Sequence, residues 1–239
     1  MKIPKLPLAL LFVSVAALLT SCDEDGFCLE GEGGLETREL ELRDFNGVAV
    51  SGNHKVYISK GSRQRVEVSG QANVLDELEQ GVENGVWDIE FDRCLRNHKQ
   101  VEVYITLPEL ERVSVGGNGN LVVENVFETS SFDASVSGSG SIMLRVAAQD
   151  LEARISGSGT IRAAGVATNQ DVSISGSGNY MAFDVDSREA KVSISGSGEA
   201  GLKVDAQLDV DISGSGKVYY QGSPAVNTSI SGSGKVIKK

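Results

Sequence analysis

The chain has 239 residues, 28 of them glycine, and a formal net charge of −11 at pH 7. It lacks the clustered cations needed to track a phosphate backbone, which excludes nucleic acid as a partner. The length suits one domain, and the acidity favours solubility and discourages nonspecific adhesion to anionic surfaces.

The first residues, Met1-Lys2-Ile3-Pro4-Lys5, are basic, residues 6–19 are almost wholly apolar, and Leu19-Thr20-Ser21-Cys22 follows. This is the layout of a secretory signal whose apolar core is too short for a comfortable bilayer span. The Leu-Thr-Ser-Cys string resembles the bacterial lipobox, in which the cysteine is acylated and becomes the first residue of the mature protein. The competing reading is an ordinary signal with an incidental cysteine. The resemblance implies residues 1–21 as signal peptide, lipidation at Cys22 and a membrane partner through that anchor. Asp23, Glu24 and Asp25 resemble signals that send some lipoproteins of Gram-negative bacteria to the outer face of the outer membrane. In other bacteria an aspartate after the cysteine retains the protein at the inner membrane; the outer membrane is the favoured expectation. Residues 22–37, acidic and glycine-containing, read as a flexible tether.

A single domain over residues 38–239 is expected, with residues 38–115 its irregular first half. There, Val56-Tyr57-Ile58, Val66-Glu67-Val68, Trp87-Asp88-Ile89-Glu90-Phe91 and Val101-Glu102-Val103-Tyr104-Ile105 alternate as strands do. Lys60-Gly61-Ser62 and Asn84-Gly85 are turn signals. Leu75 and Leu78 at helical spacing predict a short helix over Val74 to Gln80, stopped by Gly81.

Residues 116–239 are governed by a repeat. Ser-Gly-Ser-Gly occurs at residues 137–140, 156–159, 175–178, 195–198, 213–216 and 231–234, with successive first serines 19, 19, 20, 18 and 18 residues apart. Regular spacing with varied intervening sequence marks one structural unit reused by stacking. The flanks alternate with period two, so each coil holds two short strands, the Ser-Gly-Ser-Gly turn and a second, variable turn such as Gln149-Asp150 or Ser187-Arg188-Glu189. The fold class is therefore all-β, a flattened right-handed parallel β-helix of two sheets. An extended trace puts the turn glycines, Gly138 and Gly140, Gly157 and Gly159, Gly176 and Gly178, Gly196 and Gly198, Gly214 and Gly216, Gly232 and Gly234, at inward positions where the two sheets meet. The serines then form outward columns. Val48-Ala49-Val50-Ser51-Gly52-Asn53 is a weaker cousin of the repeat, and Val115-Gly116-Gly117-Asn118-Gly119 aligns with the first full copy.

Aligning the coils four residues before each first serine gives Asp133, Glu152, Asp171, Lys191, Asp209 and Asn227. On the same parity this column points outward. It reads as a solvated charged stripe in which Arg154 and Lys191 relieve repulsion between stacked acids, with weak binding of a cation such as calcium or of a basic partner, or action on sugar, as the sharper alternatives. His54 and His98 share no local motif, and Cys94-Leu95-Arg96-Asn97-His98 is half of a zinc-like spacing, so no metal or cofactor is expected. No copy of the glycine turn has the Lys-Ser/Thr of a phosphate-binding loop. Cys28 and Cys94, the thiols left once Cys22 is lipidated, could pair outside the cytoplasm and tie the tether to the first half.

Phe-x-Gly-Val-x-Val-Ser-Gly at residues 45–52, Ile105-Thr106-Leu107-Pro108-Glu109-Leu110 and the serial Gly-Ser-Gly turns resemble the autotransporter adhesin, head GIN-domain family of bacterial surface proteins. The resemblance implies a β-helical domain with a role in cell adhesion and no established catalytic residues. The expectation is a lipid-anchored, non-catalytic envelope protein serving adhesion, surface architecture or display toward a host or matrix glycan or protein. The alternative is a carbohydrate-active β-helix enzyme, which needs convergent acid and base groups in a groove.

Overall fold

A computed structural model describes residues 28–239; residues 1–21, expected to be a signal peptide, Cys22 and Asp23 to Asp25 lie outside the described residues. The chain is a β-solenoid of about 7 turns. Val136, Ile155, Ile174, Ile194 and Ile212 pair in sequence as one inward column, each at most 3% exposed. Burying one such branched side chain contributes about 1.5–3 kcal/mol, and the column repeats at every coil. Alternate residues face solvent, which is why period two in the sequence becomes a core along the axis.

The ladder between coils is parallel and in register, interrupted once per coil where Gln149, Thr168 and Arg188 drop out of pairing. These skips are the second turn. The 20-residue coil absorbs its extra residue around Phe183, because Arg162 and Ala164 pair with Met181 and Asp184. Each coil presents an approach run before Ser-Gly-Ser-Gly and a return run after it.

The two glycines of each turn do different jobs, a correction to the expectation that both stand inward where sheets meet. Gly176 has φ +114 and is partly exposed; a Cβ there would lie 2.5 Å from the Gly157 carbonyl oxygen of the preceding coil. Only glycine combines that backbone angle with so close an approach. Gly178 is buried, and its missing side chain leaves room for Ile155 of the coil before. Ser177 N–H donates to the Gly157 carbonyl at 2.8 Å and Asn179 N–H to that of Gly159 at 2.9 Å, a pattern the later turns repeat. Ser175 and Ser177 are exposed, as parity requires.

The first half closes one end of the solenoid. Gly47–Gly52 and Lys55–Lys60 extend the approach and return ladders, with Val50 opposite Val115 and Gly52 opposite Gly117. Beyond them Glu102–Leu107 pairs parallel with Lys55–Lys60, then antiparallel with Arg65–Gln71, which pairs antiparallel with Leu35–Leu40. Asn84 and Gly85, at φ 50 and 75, form the expected two-residue hairpin between Val82–Glu83 and Val86–Ile89.

Two boundaries differ from the sequence reading. The helix is one turn, Ala72–Leu75, because Leu78 forms an antiparallel bridge with Phe91 and Glu79 N–H donates to the Glu90 carbonyl. Pairing to a neighbouring strand claims backbone groups that a longer helix would use internally. The chain also joins the fold before residue 38: Cys28 is bonded to Cys94, Leu29–Glu30 pairs with Leu95–Arg96, and Leu35–Leu40 is a strand. Residues 28–37 are thus held by a disulfide and two ladders instead of hanging free.

Gly176→Val and Gly196→Val are each expected to destabilise by about 1–3 kcal/mol or more, through φ strain and collision with the preceding coil's backbone. Ser177→Ala costs far less, because an exposed hydroxyl exchanges its partner with water. Thermal melts of the three variants check the ranking, and equal shifts for serine and glycine variants would contradict it.

Candidate functional site

Register places Asp133, Glu152, Asp171, Lys191, Asp209 and Asn227 opposite one another in that order, all facing solvent on the approach run. Stacking at the spacing of strands, about 4.8 Å, sets like charges side by side unless they are relieved. Arg154, two residues beyond Glu152, bridges Glu152 and Asp133, the latter at 2.9 Å. Asp209 accepts from Asn227 at 2.8 Å and from Gln207 at 2.7 Å. Those two hydrogen bonds, with Lys191 nearby, hold its carboxyl below the usual aspartate range.

A parallel column, Asp150, Asn169, Glu189 and Gln207, lies two residues earlier, and the groove between them holds about 360 Å³. Its floor contains Gln170, 2% exposed, in the inward column between Leu151 and Ala190. Gln170 Oε1 accepts the Tyr180 hydroxyl at 2.6 Å, while its Nε2 is buried without a hydrogen-bond partner. Burial pushes the Tyr180 hydroxyl well above the ordinary tyrosine range, so it stays protonated and donating. The carboxylates thus repeat one coil position along an axis; among the described residues, unlike acid and base roles do not converge at one point in this groove. Among the described residues, no three His, Cys, Asp or Glu side chains are grouped as metal ligands.

A second cluster sits at the closed end and was not legible as a motif. His54 occupies the coil position that Gly119 and Gly140 hold in later coils: its carbonyl accepts from Asn120 at 2.9 Å as theirs accept from Ser141 and Thr160. The alignment of Val50-Ser51-Gly52-Asn53-His54 with the repeat carries that signal. An inward glycine replaced by imidazole is accommodated here because the rung beyond, Val86–Ile89 beside Gly47–Gly52 and Glu102–Leu107 beside Lys55–Lys60, is joined by residues 90–101 instead of a tight glycine turn. The ring lies 4.8 Å from the Phe91 ring and 6.2 Å from that of His98, centroid to centroid. His98 Nδ1 is 2.8 Å from the Lys99 carbonyl oxygen, and the His54 Nδ1 is buried without a partner. Glu90, Arg93 and Leu95 complete the corner, beside the Cys28–Cys94 disulfide.

Burial, with a smaller contribution from the charge on His98, lowers the His54 pKa from 6.5 to about 4. The unfolded chain therefore takes up a proton near pH 6.5 that the folded chain resists until about pH 4. This part of the stability is complete above 6.5, falls as pH drops through that window and levels off below it. A shift of that size corresponds to roughly 3 kcal/mol. Urea unfolding followed by the fluorescence of Trp87, the one tryptophan and fully buried, is expected to show the loss between pH 7.5 and 4. His54→Leu flattens that segment of the curve; an unchanged pH dependence in the variant would refute the assignment.

Three similar solved structures share the architecture. A putative adhesin from Bacteroides fragilis has a TM-score of 0.83 at 22% identity, covering 88% of this chain and 100% of that one. A putative lipid binding protein from Parabacteroides distasonis has a TM-score of 0.75 at 23% identity, over 88% of this chain and 99% of its own. A putative adhesin from Parabacteroides merdae has a TM-score of 0.72 at 23% identity, over 89% and 99%. At these identities the likeness carries the fold. No curated protein matches the chain. Residues 44–224 match the family model described as putative auto-transporter adhesin, head GIN domain, and the chain belongs to that family.

Proposed function

We propose that the chain is a lipid-anchored, non-catalytic envelope protein that presents its solenoid as a surface for adhesion or ligand display. The observation that carries this reading is the uniformity of the outward columns. Asp133, Glu152, Asp171 and Asp209 recur at one solvent-facing coil position, each with its own neighbours. Repetition of one role along an axis suits a partner that spans several coils, whereas catalysis needs unlike groups at one locus. The family description and the adhesin neighbours support a surface role. The anchor rests on the signal-like N-terminus ending at Cys22.

In cells fed a labelled fatty acid, the wild-type chain is expected to take up label and Cys22→Ser to take up none. An unlabelled wild type would sink the anchor. Glycan and matrix-protein arrays probed with the mature chain are expected to identify a partner. Single replacements such as Asp171→Asn are expected to reduce that binding by less than about threefold, because exposed charges contribute under 1 kcal/mol each. Polysaccharide cleavage abolished by Asp171→Asn with the fold intact would replace this reading with an enzymatic one.

A further inference from the structure

The return run carries an outward column of different chemistry. Register stacks Tyr104 on Tyr57 and continues through Met143, Arg162 and Met181 to Tyr219. The two tyrosine rings stack at 5.2 Å and 12°. Met143 is 49% exposed, Met181 44% and Tyr104 43%. At the coil of Gly201 the ring of Phe183 lies over the glycine, so the apolar surface continues there. Isolated exposed apolar side chains are ordinary, but a stripe along successive rungs marks an interaction surface.

Charge on this face departs from the rest of the chain. Arg162 lies within the stripe and Arg145 one rung away beside it, and neither forms an ion pair among the described residues. Lys239 sits over the rings of Phe183 and Tyr219 at 5.2 and 4.5 Å. The opposite, approach run carries the acidic columns. The return run also carries Glu102, Asp184 and Glu199, but the two glutamates lie against Lys55 at 3.6 Å and Lys217 at 3.0 Å. Arg145 and Arg162 thus stand beside the stripe without an ion pair among the described residues, in a chain of net charge −11.

The path of the chain says what lies near this face. Leu35–Leu40 pairs with Arg65–Gln71, which pairs with Glu102–Leu107, the strand of Tyr104, so the chain enters on the sheet that bears the stripe. Cys28 is fixed to Cys94, and five residues separate it from Cys22. Fully extended, that link reaches roughly 20 Å. An acyl chain on Cys22 therefore holds the domain against the bilayer at high effective concentration.

We propose that the stripe on the return face is a docking surface for an anionic phospholipid membrane, which the solenoid meets side-on. Met, Tyr and Phe enter the interfacial region while Arg145 and Arg162 engage phosphates. The acidic columns then face away from the lipid, free for a partner. This deepens the anchored-display reading, from which it takes the nearness of the bilayer.

The described core and disulfide lie within residues 28–239, so the chain starting at Asp23 keeps the fold and carries no lipid. It is expected to co-sediment with phosphatidylcholine vesicles containing phosphatidylglycerol and much less with phosphatidylcholine alone. Replacing Arg145→Gln and Arg162→Gln together weakens binding about twenty-fivefold, at about fivefold per arginine. Met143→Asp with Met181→Asp abolishes it, while Glu152→Gln with Asp171→Asn leaves it unchanged. Melting and Trp87 fluorescence verify the fold of each variant. No binding to anionic vesicles, equal binding to both vesicle types, or full binding by the stripe variants would overturn the proposal, as would stripe-dependent capture by an acidic polysaccharide in place of vesicles. Because Cys22 is absent from these proteins, failure here leaves the anchor standing, and loss of the fatty-acid label leaves this result standing.

Discussion

The contact on which the rest of the fold depends is the close stacking of one turn's backbone on the next. Gly157, Gly176, Gly196 and Gly214 each approach the carbonyl of the glycine one coil before, all at positive φ. That approach sets the pitch, and the pitch brings inward valines and isoleucines into one column and outward residues into others. A side chain at the first glycine of a turn would separate two coils and disturb several columns together. Energy is therefore concentrated in a motif whose serines matter little, and the glycine positions tolerate less variation than the surface does.

Much of this was legible because a strand's parity is strict. Counting by twos from Ile174 places Asp171 outward and Val172 inward, and the register bears out the alignment of Asp133, Glu152, Asp171, Lys191, Asp209 and Asn227. The same counting makes Met143 outward once Ile142 and Leu144 are inward. What resisted reading was the closed end, where no repeat constrains the chain. Antiparallel additions at Arg65–Gln71 and Leu35–Leu40 depend on which strands meet across long intervals, and local sequence does not encode that. The helix was overextended for the same reason: Leu75 and Leu78 suit a helix face, but both are buried equally well when Leu78 bridges to Phe91. Cys28 and Cys94 are 66 residues apart, and only the fold brings their Cα atoms to 4.6 Å.

His54 shows how an exception inside a repeat acquires chemistry. Later coils need glycine at its position to admit the inward side chain of the coil before, as Gly178 admits Ile155. Next to His54 the neighbouring rung lacks the tight turn, residues 90–101 joining its two strands instead, and an imidazole fills the space against Phe91. Its burial makes the closed end sensitive to acid, while the disulfide beside it limits how far that end can open.

A solenoid separates the residues that make the fold from those that make the surface more completely than a globular domain does. Inward columns answer to the core, and outward columns answer only to neighbours one rung away. Arg154 between Asp133 and Glu152, or Asn227 and Gln207 on Asp209, are such local settlements, and they leave the acidic face soluble without assigning it a partner. The methionine and tyrosine stripe is settled only towards its ends, by the Tyr57–Tyr104 stack and by Lys239 over Phe183 and Tyr219; the exposed apolar area between them would gain more under a partner. With carboxylates locally bridged on one face and, on the other, exposed apolar surface beside arginines that form no ion pair among the described residues, the two sides of the same coils are suited to different neighbours. The side nearer the point where the chain enters is the one suited to lipid.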